Sequence, residues 1–244
     1  MRVQSLTLAA AGAALLAPTM HASAAGLTGP GSGPVPVAVA RPHHAPVARE
    51  GTVGAAELLA KVRGCIPVSK GRYRSDEGTR ADIPVCGKRG AVFWKADMDI
   101  DCDGRAGVRC NRRTDPLFSS TTAYQQSDGR HLSAERLPYV VVPAASRIWN
   151  HRDHDVRGGA VAAVIYKDRV QYAVVGDTGP RDIIGEASYA TAKALGIRPD
   201  PRGGGTSGGV TYLLFKGSEV SPIESHRAAV KQGDALARKF LKEN

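Results

Sequence analysis

Aromatic side chains are scarce in this chain, at 5% of residues, with two tryptophans among them. With Gly 28 and Pro 15, the composition describes a turn-rich protein of short elements. Beyond the N-terminus no apolar run is long enough to cross a bilayer, which excludes a membrane-spanning helix there. No internal repeat and no second linker appears, so a single domain is expected. Cysteine occurs four times and never as C-x-x-C, which argues against a structural zinc site. Acid is short relative to base, Asp+Glu 23 against Lys+Arg 33, for a net charge of +10. A basic surplus ordinarily points to nucleic acid or an anionic surface. Here it is scattered, and no recognition motif or array of rings and bases accompanies it, so nucleic acid is not expected as a partner.

What is present fits an exported globular protein. The 244 residues are 42% hydrophobic and 23% charged, enough apolar material for a real core and too much for wholesale disorder. Arg2, the apolar stretch Leu6 to Leu16 and the small-residue site Ala22-Ser23-Ala24 make residues 1–25 a secretory signal, whose removal leaves no membrane segment and an extracellular protein. Residues 26–52, rich in Gly, Pro, Ala and Val with His43-His44, form a flexible leader, and the globular domain spans 53–244. An even cysteine count in an oxidising compartment favours two disulfides. Pairing Cys65 with Cys86 and Cys102 with Cys110 closes the shortest loops, and other pairings stay open.

Short runs rich in Val, Ile and Tyr read as strands at Ala91–Trp94, Leu137–Val142, Ala160–Tyr166, Val170–Val175 and Val210–Phe215, with a hairpin turning at Lys167-Asp168-Arg169. Helices are expected over 55–62, over Glu186 to Leu195 with a stop at Gly196, and from a capping box at Ser221-Pro222-Ile223-Glu224 to about Leu241. The order is mostly β with a few helices, favouring a barrel or sandwich.

Five motifs carry possible chemistry. Asp97, Asp99, Asp101 and Asp103 alternate after Trp94, which places all four on one side if the strand continues. A calcium loop starting at Asp99 fails at its twelfth position, Cys110, where a bidentate Glu is required. Asp177-Thr178-Gly179 has the look of an aspartic protease half-site, yet that chemistry needs two such aspartates and the chain has one copy. Gly205-Thr206-Ser207-Gly208-Gly209 lacks the Asp of a serine-protease loop and reads as a flexible glycine loop. His151-x-x-His154 offers half a metal or nuclease site, a spacing common on surfaces. Lastly, Asp177 ends a strand and Glu186 opens a helix, with a loop between them that can bring both to one cleft, as glycosidic hydrolysis needs. A helix N-terminus lowers a carboxyl's pKa whereas a general acid wants it raised, and Asp182 competes for the role.

In order and spacing, several of these motifs resemble one family. They are Ala96-Asp97-Met98-Asp99-Ile100-Asp101-Cys102-Asp103-Gly104, Leu137-Pro138-Tyr139-Val140-Val141-Val142-Pro143, Gly176-Asp177-Thr178-Gly179-Pro180 with Ile184-Gly185-Glu186-Ala187-Ser188, Leu195-Gly196-Ile197, and Gly209-Val210-Thr211-Tyr212. Together they look like the fungal-type chitosanases of glycoside hydrolase family 75 over roughly residues 85–216. The resemblance implies a small six-stranded double-psi-like β-barrel and an endo-acting, inverting hydrolase of chitosan that works without cofactor or metal. It implies Glu186 as general acid and Asp177 as general base. Chitosan in mild acid is a polycation, so the acidic run 97–103 is expected to line the cleft and meet glucosamine ammonium groups. Trp94 and Tyr139, with Tyr124, Trp149 and Tyr189, are candidates to stack on sugar faces, though core positions suit each of them as well. The expected partner is chitosan alone, bound by a monomer. The first alternative is a non-catalytic polysaccharide- or calcium-binding module, since fold does not fix function. The last is a basic secreted protein acting on nucleic acid, suggested by the net charge and the His151 to Asp155 cluster.

Overall fold

The computed structural model describes residues 50–244, so the expected signal 1–25 and nearly all of the leader 26–52, with His43-His44, lie outside the described residues. Helix α1 (Ala55–Lys61) buries Leu58 and is followed by the short strands β1 (Ile66–Pro67) and β2 (Cys86–Lys88). Six further strands come next: β3 (Ala91–Asp101), β4 (Tyr139–Pro143), β5 (Val161–Tyr166), β6 (Arg169–Gly179), β7 (Glu186–Ser188) and β8 (Thr206–Phe215). Helix α2 (Tyr189–Leu195) lies between β7 and β8, and α3 (His226–Glu243) ends the chain. The order β3-β7-β4-β6-β5-β8 returns to β3, closing a six-stranded ring. Closure leaves the ring no free edge. Two pairs, β3 with β7 and β4 with β6, are parallel and the rest antiparallel. The described residues thus form the mostly β, single-domain, double-psi-like barrel that the resemblance implies.

Alternate side chains of a closed barrel point inward. One buried cluster draws on every strand of the ring, among them Val92, Trp94 and Met98 of β3, Val140 of β4, Val164 of β5, Val175 of β6, Ala187 of β7 and Tyr212 of β8, and is therefore the interior. A six-stranded lumen is narrow. Trp94 and Tyr212 fill it by stacking at 5.3 Å between ring centroids, as directly opposed partners of the β3–β8 register. Alanines at 162, 173 and 187 give them room. A second cluster, with Phe93, Ile165, Tyr172 and Phe215, lies on the outside of the ring beneath Leu58 of α1 and Ala229, Ala237 and Phe240 of α3.

The disulfides are Cys65–Cys86 and Cys102–Cys110, the short-loop pairing. The hairpin turns at Lys167-Asp168, with Tyr166 opposite Arg169. Three expectations are corrected. Residues Glu186–Ser188 are strand β7, not helix, because they pair with β3 and β4; Ser188 then caps α2 by accepting from the Thr191 N–H. The capping box at 221–224 does not form. Helix α3 starts at His226 under Ser225, while Glu224 accepts from the N–H and Oγ of Ser127 instead. Residues 206–209 open β8 rather than forming a loose glycine loop, because Thr206 pairs with Met98.

Candidate active site

Sheet register builds a row of carboxylates on the outer face of the ring. β3 pairs Asp99 with Glu186 of β7, while β7 pairs Ala187 with Val140 of β4, which sets Val141 beside Glu186. β4 pairs Val141 with Asp177 of β6. Because Val140 and Ala187 face the interior, the row Asp177, Val141, Glu186, Asp99 faces outward. Asp177 owes its direction to a bulge. Val140 pairs with Val175, and the register then shifts so that Val141 meets Asp177 instead of Gly176. A one-residue shift in a strand exchanges its faces. Without it Asp177 would point into the barrel. Gly176 permits the bulge because a β-carbon there would stand 2.6 Å from Tyr139 Cβ.

Asp177 and Glu186 therefore sit two strand spacings apart, about 10 Å between backbones, with Val141 between them. The Glu186 side chain leans across β4. A β-carbon on Gly179 would stand 2.7 Å from Glu186 Oε2 and 3.1 Å from Val141 Cγ1, so the bare glycine makes room for the carboxyl. Around this row lies a cavity of about 600 Å³. Its lining holds eight carboxylates: Asp76, Asp99, Asp101, Asp103, Asp115, Asp177, Glu186 and Asp200. Its one base, Arg202, donates to the carbonyls of Arg113 and Thr114 and so joins two lining loops.

The two central carboxyls differ in surroundings. Burial first, then the charges of Asp99, Asp103, Asp177 and Asp97, push Glu186 up to about 7. Burial also raises Asp177, but the N–H groups of Ala123 and Thr178 donate to its Oδ1 at 2.8 and 2.7 Å, and with His131 they pull the other way. Both carboxyls are raised, but two backbone donors oppose the shift at Asp177, whereas burial and the neighbouring carboxylates all add to it at Glu186. The difference has the sense an acid and base pair needs. Because Glu186 lies on a strand, the helix-dipole conflict does not arise.

The acidic run is also raised, by burial first in each case: Asp97 to about 7, Asp99 and Asp103 to about 6, and Asp101 well above its ordinary value. A carboxyl with a raised folded pKa binds protons more tightly in the folded state, so its stabilisation is full below about pH 4 and fades as pH rises through 6 to 7. His151 and His154, lowered by burial, work in the opposite direction over the same window but are fewer. Asp128, Asp200, Glu224 and Asp234 have lowered values and titrate below this window. The melting temperature at constant ionic strength is therefore expected to fall from pH 5 to pH 8. A rise over that range in scanning calorimetry would show that the cleft is not under this acidic strain.

Asp99, Asp101 and Asp103 line the cavity together, and the Tyr139 hydroxyl supports the turn after them by donating to the Asp103 carbonyl at 3.1 Å. Asp97 lies on the same side but is buried beneath the lining. Trp94 and Tyr139, expected as sugar platforms, have no exposed surface: Trp94 fills the barrel and Tyr139 packs behind the carboxylates. Trp149 is buried, and Tyr124 and Tyr189, though partly exposed, are not in the cavity lining either. Asp182 is exposed, paired with Arg74 at 3.5 Å and outside the lining. His151 is buried with its Nδ1–H donating to the Val156 carbonyl at 2.7 Å, a structural role. Sequence reasoning missed Asp76, Asp115 and Asp200. Each sits in a turn or loop whose local signal is turn chemistry alone. It also missed Ala123, which acts through its backbone.

The model of the fungal chitosanases of glycosyl hydrolase group 75 matches residues 98–242. Endo-chitosanase C of Aspergillus oryzae is 32% identical over 136 residues, covering 54% of this chain and 33% of that protein. An endo-chitosanase of Aspergillus oryzae (strain ATCC 42149 / RIB 40) is 31% identical over 143 residues, covering 53% of this chain and 58% of the relative. Endo-chitosanase B of the same strain is 27% identical over 173 residues, covering 64% and 72%. The chain thus spans a third of the first relative and under two thirds of the second.

Proposed function

The chain belongs to the family of fungal chitosanases of glycosyl hydrolase group 75, and from that premise we propose that it is a secreted, monomeric endo-chitosanase that cleaves β-1,4 links between glucosamine units with inversion. The observation that carries this reading is the row Asp177, Val141, Glu186 across three neighbouring strands. Inverting glycosidases hold their two carboxyls roughly 6.5–9.5 Å apart to admit a water, and retaining ones about 5–5.5 Å. Two strand spacings between the backbones leave room for the wider arrangement, with the Glu186 side chain leaning across β4 into that gap. Glu186, protonated toward neutral pH, gives its proton to the leaving glycosidic oxygen. Asp177, its anion held by the N–H groups of Ala123 and Thr178, takes a proton from the water that attacks the opposite face of the sugar. Asp99, Asp101 and Asp103 meet the ammonium groups of neighbouring glucosamines.

Charge supports a polycationic substrate locally against the molecule's own field. The full chain carries +10 and repels chitosan at long range, whereas the cavity sets eight carboxylates against one arginine. The acidic lining suits neither nucleic acid nor another polyanion. Proton NMR of a fresh digest of fully deacetylated chitosan tests the reading. Products whose new reducing ends appear first as the α-anomer are expected. First appearance of the β-anomer would overturn inversion, and retention of chitosan without products would leave a binding module.

A further inference from the structure

Beside the catalytic row, three carboxylates from two chain segments converge. Asp97 and Asp99 come from β3, and Asp76 comes from the loop before β2. One carboxylate oxygen of each lies within 4.8 Å of those of the other two. Like charges this close repel, and the described residues do not neutralise them. None of their ion pairs involves Asp76, Asp97 or Asp99. Arg74 is engaged by Asp182 and by the Thr79 carbonyl.

The second observation concerns Asp97 itself. It is 7% exposed, and among the described residues no donor reaches its buried Oδ1. That atom sits over Gly185, where a β-carbon would stand 2.3 Å away, so the backbone is kept bare to admit it. A buried carboxylate oxygen without a partner is costly. The chain nevertheless keeps it next to two other carboxylates, which is the arrangement a bound cation would relieve.

We propose that Asp76, Asp97 and Asp99 bind a hard divalent cation, calcium being the natural probe. Oxygen-only ligands suit calcium or magnesium and give little hold to softer metals. The set is distinct from the broken calcium loop that starts at Asp99, since its other ligands come from before that loop. It also departs from the expectation that no metal is bound. A glucosamine ammonium is the competing occupant. Asp97 does not line the cavity, so an amine fixed to a sugar ring in it meets Asp76 and Asp99 alone, whereas the three oxygens lie close enough together to share one bare ion. The cation would tie the loop carrying Asp76 to the strand carrying Asp99, the register partner of Glu186.

The test uses the intact protein without chitosan, so it stands or falls separately from the hydrolase reading. Protein freed of metal by chelation and dialysis is titrated with calcium chloride by calorimetry at constant ionic strength. One saturable site is expected, with a dissociation constant of about 0.1–1 mM, the weak end of calcium sites. Calcium is also expected to raise the melting temperature. Asp97→Asn and Asp76→Asn should each weaken binding at least about tenfold. Asp76 is exposed, so its variant keeps the test open if the buried change unfolds the protein. No saturable uptake up to about 10 mM, well above that range, overturns the proposal. So does wild-type affinity in a folded variant of either residue, or saturation by glucosamine hydrochloride with none by calcium.

Discussion

Replacing Glu186 with Gln is expected to lower chitosan hydrolysis by about 100- to 10,000-fold, and Asp177→Asn by a similar factor, the usual contribution of a positioned acid or base. Both changes are close to isosteric. Gln at 186 still leans over Gly179, and Asn at 177 still accepts from the N–H groups of Ala123 and Thr178. Circular dichroism and melting temperature should therefore stay near wild type, and removing a raised carboxyl from the cleft relieves repulsion if it changes anything. The two variants are separable by leaving group. A nitrophenyl glycoside of a glucosamine oligomer expels nitrophenolate, which leaves without needing a proton, so cleavage of this substrate should recover with Glu186→Gln and not with Asp177→Asn. Full activity on chitosan in either variant, or recovery in the wrong one, would reverse the roles or remove the pair from the mechanism.

A comparably large effect, on stability rather than rate, is expected from Trp94→Ala. Trp94 is fully buried inside the ring and stacked on Tyr212, with Trp149 at its edge. Truncating a buried Trp costs about 3–5 kcal/mol, through lost transfer energy and the cavity left behind. Neighbouring barrel strands are fixed by six ladders and cannot collapse into the gap. For a domain of this size that loss lowers the melting temperature by about 6–20 °C. A sugar platform would behave differently, raising KM for chitosan with the melting temperature unchanged. That second outcome would return Trp94 to the cleft and refute its place in the core.

Much of the barrel was legible in the sequence because its strands are short runs of Val, Ile and Tyr between turn residues, and such runs record burial directly. The acidic strand was legible for the same reason, since alternation by twos continues from Trp94 through Asp101. The helix expected at Glu186 was not. Its alanine spacing fits a helix, yet residues 186–188 complete the ring between β3 and β4, and that pairing outweighs local preference. The capping box at 221–224 failed likewise, its Glu224 drawn to Ser127, nearly a hundred positions away in sequence. The rings were misplaced because a buried and an exposed aromatic look alike in sequence, and only ring closure makes Trp94 interior.

By itself, then, the chain's sequence determined that Asp177 and Glu186 belong to ordered motifs, that the run from Asp97 to Asp103 alternates, and that short strands dominate, because these depend on residue type and local spacing. Tertiary structure alone decided that the Gly176 bulge turns Asp177 outward, that Val141 stands between the two carboxyls, and that Asp76 joins Asp97 and Asp99. Those facts rest on register between strands far apart in sequence, and register is set by how the whole ring closes and fills its interior.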